Sequence, residues 1–146
     1  MKDFLKKLKT ATTVKKGSHS LVANISKEMI EGPMRGWLCG HFYPRDSLFH
    51  RKDIEICVKV LPVGMTEPKH FHLCSFEFLI VLSGIVEYNI DGLHHVIEPG
   101  MFYMLEPGEV EHIVEVKEEC TILCVRLPSI PNNKIMEPQG ITRSDE

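Results

Sequence analysis

Residues 64–84 read GMTEPKHFHLCSFEFLIVLSG, and this stretch decides both the fold and the candidate chemistry. In extended backbone, alternate side chains share a face and each residue rises about 3.3 Å, so His70 and His72 are expected about 6.6 Å apart on one face. A turn near residues 73–75 would return Glu77 to their side, with Leu79 and Val81 on the same inward face. Two imidazoles and a carboxylate placed in this way predict a metal site.

A second segment, residues 100–112, reads GMFYMLEPGEVEH. Its Pro-Gly turn begins a strand in which His112, Val114 and Val116 fall on one side, so we expect His112 to face the same interior. The predicted metal ligands are therefore His70, His72, Glu77 and His112. Three neutral imidazoles and one carboxylate leave positions open on a six-coordinate metal, which is typical of a catalytic or ligand-exchanging site.

Short apolar runs fill the rest of the chain from residue 37 onward. They are rich in Val, Ile, Phe and Tyr and are bounded by Gly, Pro and Asp, which is typical of strands. No long helical pattern accompanies them, so a parallel βαβ architecture is disfavoured. The sequence predicts an all-β sandwich or barrel with strands at residues 37–43, 54–61, 76–82, 85–90, 94–97, 101–105, 111–116 and 121–127.

The two ends of the chain differ from this central part. Residues 2–9 place Phe4, Leu5 and Leu8 at the spacing of a short amphipathic helix, and residues 10–20 are small and polar. The segment after Pro128 is dominated by prolines and polar residues, which predicts an extended tail. The predicted organisation is an N-terminal helix and linker (1–34), a β-barrel (35–128) and an extended C-terminal tail (129–146).

Composition narrows the class of protein. The chain has 146 residues, 43% apolar and 25% charged, with a net charge of -3, so it carries no sign of the basic face that nucleic-acid binding requires. No window approaches the roughly 20 apolar residues of a membrane span, and the N-terminus lacks the apolar core of a secretory signal. We therefore expect a cytoplasmic protein with reduced cysteines and with neither a nucleic-acid nor a membrane partner.

Two of the predicted strands also bear on assembly. Residues 54–60 and 76–82 carry apolar side chains on both faces, which indicates burial on both sides. The sequence therefore predicts a homodimer in which a second subunit covers the outer sheet.

The two quoted segments resemble the two motifs of the cupin superfamily. The first fits residue by residue: Gly64, five residues, His70-x-His72, four residues, Glu77, six residues, Gly84. The second resembles the family's second motif through Gly100, Pro107-Gly108 and His112. It departs from that motif because the family usually has one residue between the Pro and the Gly, and an Asn where this chain has Val116. The resemblance implies a double-stranded β-helix, or jelly-roll barrel, preceded here by the short N-terminal helix.

What the resemblance implies about function is a metal-dependent enzyme. Its cofactor would be one divalent ion, Fe, Mn, Ni or Zn, and its substrate a small oxygen-rich molecule such as a keto acid, a diol or a sugar derivative. Iron would favour dioxygenase chemistry, and the other metals isomerase, lyase or decarboxylase chemistry. The alternative is a non-catalytic barrel that binds or senses a small ligand. No separate catalytic acid or base and no organic cofactor is predicted.

Three further polar residues interrupt apolar strands. Lys59 and Arg126 could pair with a substrate carboxylate or phosphate if they pointed into the barrel. The favoured interpretation is that each points outward or lies at an edge. His41 could line a pocket, although a hydrogen-bonded core or edge histidine is the favoured interpretation.

Overall fold

Residues 2–138 are described by the structure, a computed structural model of the chain. It contains two short helices and ten strands. They are α1 (Lys2–Lys7), β1 (Val14–Lys16), β2 (Leu21–Ala23), α2 (Lys27–Glu31), β3 (Trp37–Cys39), β4 (Glu55–Leu61), β5 (His70–His72), β6 (Phe76–Ile90), β7 (Leu93–Ile97), β8 (Phe102–Leu105), β9 (Glu111–Leu127) and β10 (Lys134–Met136).

Eight of these strands, β3 to β10, form one curled antiparallel sheet. The long strand β9 organises it, because β9 pairs with β4, β5 and β6. Strand β6 also pairs with β7 and β8, while β3 extends the sheet beyond β4 and β10 extends it beyond β5. The architecture is the predicted all-β jelly-roll barrel, and the short N-terminal helix is present as α1.

Two strands are longer than the sequence predicts. Strand β6 joins predicted strands 76–82 and 85–90, and β9 joins 111–116 and 121–127. The interruptions between them are shifts of register within the β6–β9 ladder, so the strands bend there and do not end. Gly84 lies at such a bend with φ of +81°, and a Cβ added to it would lie 2.2 Å from the carbonyl oxygen of Glu119. Close passage of two strands therefore requires glycine at this position.

The hydrophobic core fills the inside of the curled sheet. Its fourteen buried members come from β4, β6, β7, β8 and β9, among them Leu79, Val81, Tyr88 and Ile113. Strand β8 shows the alternation clearly, because Tyr103 is buried while its neighbours on either side are exposed. This alternation determines which polar side chains enter the barrel.

The chain ends pack differently from the prediction. Residues 10–20, predicted as a linker, include β1, which pairs with β2 in a two-stranded hairpin. The C-terminal segment is not a free tail, because β10 pairs with β5 and both Ser129 and Asn133 are buried. Only the part of the predicted tail beyond residue 138 lies outside the described residues. None of the helices between residues 2 and 138 is long and apolar enough to cross a membrane.

Candidate metal centre

Strand β5 presents two histidines to the interior of the barrel. His70 and His72 are 2% and 3% exposed, Phe71 between them is only half-buried, and the two imidazole centroids lie 5.5 Å apart. The strand is held in place on both sides, since β10 pairs along its whole length and His70 pairs with Glu111 of β9. The alternation predicted for the H-x-H segment is confirmed.

The His70 ring is oriented by its own backbone. Its Nδ1 lies 3.0 Å from the carbonyl oxygen of Pro68, which can only accept, so Nδ1–H donates and Nε2 carries the lone pair. That Nε2 lies 3.4 Å from Oε1 of Glu111. Metal-bound histidines in proteins are commonly fixed in this way, with one ring nitrogen bonded to a carbonyl and the other left for the ion.

The His72 ring has no hydrogen bond at either nitrogen, although both nitrogens are buried. Its Nε2 lies 3.0 Å from Oε2 of Glu77 and 3.9 Å from Oε1 of Glu111, close contacts without the geometry of a hydrogen bond. An unpaired polar group in the interior of a protein is costly. A cation between this ring and the two carboxylates would satisfy it.

Glu77 lies on the inward face of β6, as predicted, and is 2% exposed. Its two oxygens already have partners: Oε1 accepts from the Tyr103 hydroxyl at 2.9 Å and Oε2 accepts from Arg126 Nε at 2.5 Å. Burial raises the pKa of this carboxyl, but His72 and the Arg126 charge outweigh burial, so the pKa lies well below its ordinary value. Glu77 is therefore ionised and is anchored by a guanidinium.

Glu111 is the carboxylate that the sequence analysis did not select. It is 2% exposed, and its Oε2 accepts from the Tyr103 hydroxyl at 2.5 Å. A tyrosine has one hydroxyl proton, so it cannot donate to Glu77 and Glu111 at the same moment. Burial, with the neighbouring negative charge of Glu77, raises the Glu111 pKa to about 7. The two carboxylates thus differ, with Glu77 ionised and Glu111 sharing a proton near neutrality.

The predicted position of His112 is corrected by the structure. His112 pairs with Asn89 on the opposite face of β9, while Glu111 and Ile113 on either side of it are buried. The reason is a register shift in the ladder, where Glu87 pairs with Glu115 but Tyr88 pairs with Ile113. The extra residue reverses the alternation, so the inward position of Val116 does not extend back to His112.

The sequence departs from the family motif at the turn that precedes this strand. Pro107 and Gly108 are adjacent, whereas the family motif has one residue between them. A change of one residue in a turn exchanges the two faces of the strand that follows. The three side chains whose ligand atoms meet within 4.8 Å of one another are His70, His72 and Glu111.

Lys59 and Arg126 also differ from the favoured interpretation, because both point inward. On β4, Lys59 shares a face with the buried residues Cys57 and Leu61. Arg126 is 15% exposed and donates to Glu55 and Glu77. Both cations lie over the ring of Trp37, at 5.3 Å for the Lys59 ammonium and 4.8 Å for the Arg126 guanidinium.

His41 is hydrogen-bonded at the edge of the barrel, as the favoured interpretation has it. Its backbone N–H donates to Ser129 Oγ at 2.9 Å, and its ring Nδ1 lies 2.8 Å from the same oxygen. Ser129 in turn donates to Glu55 Oε2 at 2.8 Å. A chain of polar contacts therefore runs from His41 through Glu55 and Arg126 to Glu77.

A cavity of about 50 Å³ lies beside the cluster and is lined by Trp37, Lys59, His70, Glu77 and Glu111, among others. The donor set suits a divalent cation of the first transition row, because such ions accept imidazole nitrogen and carboxylate oxygen together. The unpaired nitrogens of His72 and the oriented ring of His70 both fit a cation at this place. The residues present could therefore hold a metal ion.

Three solved structures illustrate the similarity of the fold. The DMSP lyase DddQ from Ruegeria pomeroyi DSS-3 gives a TM-score of 0.57 at 18% identity. The similarity covers 74% of this chain and 55% of that one. An uncharacterised conserved protein with a double-stranded β-helix domain from Klebsiella pneumoniae gives 0.54 at 18% identity, covering 66% of this chain and 90% of that one. KdgF from Halomonas sp. gives a TM-score of 0.52 at 16% identity, covering 56% of this chain and 74% of that one.

At these identities the structural likeness shows the fold alone. No curated protein sequence matches the chain. The model of the cupin domain family matches residues 57–126, a range that contains β5, the four predicted metal ligands and Glu111. Residues 57–126 of the chain form a cupin domain.

Proposed function

We propose that this protein is a metal-dependent enzyme that acts on a small oxygen-rich molecule. The observation that carries the proposal is the buried cluster of His70, His72 and Glu111, in which the His72 ring contacts Glu77 at 3.0 Å but has no hydrogen bond at either nitrogen. Its cofactor would be a single divalent ion, Fe, Mn, Ni or Zn. When bound, such an ion supplies Lewis-acid chemistry to a substrate oxygen, and iron adds the capacity to react with O2.

The protein's own residues would do the remaining work. His70, oriented by the Pro68 carbonyl, and His72 would bind the ion through ring nitrogen, and Glu111 would bind through Oε1. Glu77, the fourth interior group, is held by Arg126 and Tyr103 next to His72. It would therefore supply a negative charge near the ion, while its Oε2 stays bonded to Arg126.

Metal content of the purified protein tests this proposal. We expect a near-stoichiometric transition metal in the wild type and its loss in the double variant His70→Ala/His72→Ala. The matched control is His95→Ala, because His95 is an exposed histidine of β7 and is not a member of the cluster. Equal metal in all three proteins would refute a site at His70 and His72.

Turnover separates the enzyme from the alternative of a non-catalytic binding or sensor protein. That alternative requires no acid or base beyond the metal ligands. The metal-loaded protein, given a panel of keto acids, diols and sugars, is expected to consume at least one member, with O2 uptake if iron is bound. Saturable binding without product would instead establish the binding protein.

Assembly is a separate prediction, supported by an apolar outer face. Phe102 and Met104 of β8 are 55% and 60% exposed, and Leu82 of β6 is 50% exposed. Contiguous apolar surface of this kind is typical of an interface. We expect light scattering to give twice the chain mass of 16.7 kDa, and Phe102→Glu/Met104→Glu to give the single mass. Leu93→Glu, on exposed Leu93 of β7, is the control, and a monomeric wild type would refute the dimer.

A cytoplasmic location stays a prediction of the sequence.

A further inference from the structure

Lys59 is a half-buried cation on the inner face of β4, and its charge has no anionic partner among residues 2–138. On β4 it shares the inward face with Cys57 and Leu61, two residues away on either side, which are 1% and 3% exposed. Within residues 2–138 its ammonium makes no ion pair or hydrogen bond, and its contact is with the ring of Trp37 at 5.3 Å. An ammonium has three donors, and contact with an aromatic face satisfies none of them as a hydrogen bond.

The contrast with Arg126 shows that this state is particular to Lys59. Arg126 lies over the same Trp37 ring, but its guanidinium is bonded to Glu55 and Glu77. The neighbouring cation, Arg126 of β9, therefore already has carboxylate partners. Lys59 is the inward cation that remains available to an anion entering the barrel.

The surroundings of Lys59 limit what that anion can be. Lys59 lines the cavity of about 50 Å³ together with His70 and Glu111 of the candidate metal centre. One water needs roughly 10–15 Å³ of such space, so the cavity accepts a molecule of a few non-hydrogen atoms. A small acid fits this space, with Lys59 as the cation that meets its carboxylate.

From this arrangement we propose that Lys59 binds the carboxylate of a two- or three-carbon acid whose other oxygen faces His70 and Glu111. The inference rests on the proposed function, and narrows its oxygen-rich substrate to a small monocarboxylic acid. Lys59 would act as the residue that selects acids over neutral molecules of the same shape. A hydrogen bond between a charged donor and a carboxylate discriminates by about 10- to 100-fold over the neutral analogue.

Two pairs of probes isolate the carboxylate. Lactate and 1,2-propanediol differ only in a carboxylate replaced by a hydroxymethyl group, and so do pyruvate and hydroxyacetone. Binding is measured by calorimetry and by the fluorescence of Trp37, the single tryptophan, which lines the same cavity. The proteins are the wild type, Lys59→Met, Lys59→Arg and the control Lys117→Met, which removes an exposed charge of β9. Each is measured with zinc bound and after treatment with a chelator.

We expect the wild type to bind each acid about tenfold or more tightly than its neutral analogue. Lys59→Met should abolish that preference without changing the affinity for the neutral analogues, because the charge is lost and the stem is kept. Lys59→Arg and Lys117→Met should retain the preference. A purely structural role for Lys59 would not change the ratio of the two affinities.

Failure of this inference can be told apart from failure of the proposed function. A metal-loaded wild type that binds neither acid, or a Lys59→Met variant that keeps the preference, would overturn the role of Lys59 and leave the metal site standing. A wild type that takes up none of zinc, iron, manganese and nickel would refute the metal site. A chelated protein that still prefers acids, and loses the preference in Lys59→Met, would support the role of Lys59 even if the metal site were refuted.

Discussion

Replacing Glu111 with Gln is expected to remove bound metal from the protein, whereas replacing His112 with Ala is expected to leave the metal content unchanged. Glu111 lies 3.4 Å from His70 Nε2 and 3.9 Å from His72 Nε2, and His112 lies on the other face of β9. Residues that merely support a metal ligand contribute roughly 10- to 100-fold to affinity, so loss of a ligand should weaken binding by more than about 100-fold.

Metal affinity in these two variants is measured by competition with a chromophoric chelator, followed by elemental analysis. Glu111→Gln keeps the size of the side chain, so thermal unfolding of the chelated protein should show that the barrel remains folded. The opposite pattern, with metal lost from His112→Ala and kept by Glu111→Gln, would restore the ligand set of His70, His72, Glu77 and His112. It would also contradict the register of β9.

Replacing Arg126 with Met is expected to lower the free energy of unfolding of the chelated protein by about 3–5 kcal/mol, the usual cost of breaking a buried ion pair from one side. Arg126 is bonded to Glu77, which is 2% exposed, and to Glu55, which is 5% exposed. Burial alone lowers the Arg126 pKa, but the charge of Glu77 reverses that effect and raises it. Removal of the guanidinium leaves two carboxylates without their cation.

Urea denaturation measures this loss, and two further variants test its cause. Arg51→Met removes an exposed guanidinium from Asp53, whose side chain is 63% exposed, and should cost no more than about 1 kcal/mol. Adding Glu77→Gln to Arg126→Met removes one of the two unpaired charges and should recover part of the stability. Equal effects of Arg126→Met and Arg51→Met would show that the Arg126 network is unimportant for folding.

Most of the fold could be predicted from local pattern. Short apolar runs separated by turn residues gave the strands of the barrel, and the H-x-H spacing placed two imidazoles on one face. The bend at Gly84 could not be predicted, because it depends on the approach of the Glu119 backbone from a distant part of the chain. Pairing of β10 with β5 is equally non-local, so residues 134–136 resembled a tail.

The candidate site was predicted in part for a related reason. Alternation holds over an unbroken ladder, and it correctly placed His70, His72 and Glu77 inside the barrel. On β9 it was counted back from Val116 through the shift of register, which exchanged Glu111 and His112. The adjacent Pro107 and Gly108 are a local departure from the family motif, but the shift itself lies farther along β9 and arises from the fit of two paired strands.

The inward positions of Lys59 and Arg126 differ from the favoured interpretation, because a charge in an apolar strand points to solvent only where no partner meets it inside. The alternation of β4 already placed Lys59 with Cys57 and Leu61. What the sequence alone could not supply was the pairing of Arg126 with two carboxylates from other strands. Buried charges are tolerated where partners of opposite sign meet them, and those partners are distant along the chain.

The pairing of β10 with β5 gives the end of the described chain an influence over the metal centre. Lys134 lies opposite His72 and Met136 opposite His70, so detachment of residues 134–136 would leave the strand that carries both imidazoles supported on one side only. Coupling of this kind is reciprocal. An ion bound by those imidazoles would therefore also stabilise the pairing of β10 with β5. A protease or a binding protein that removed β10 from β5 would therefore lower the affinity for the ion.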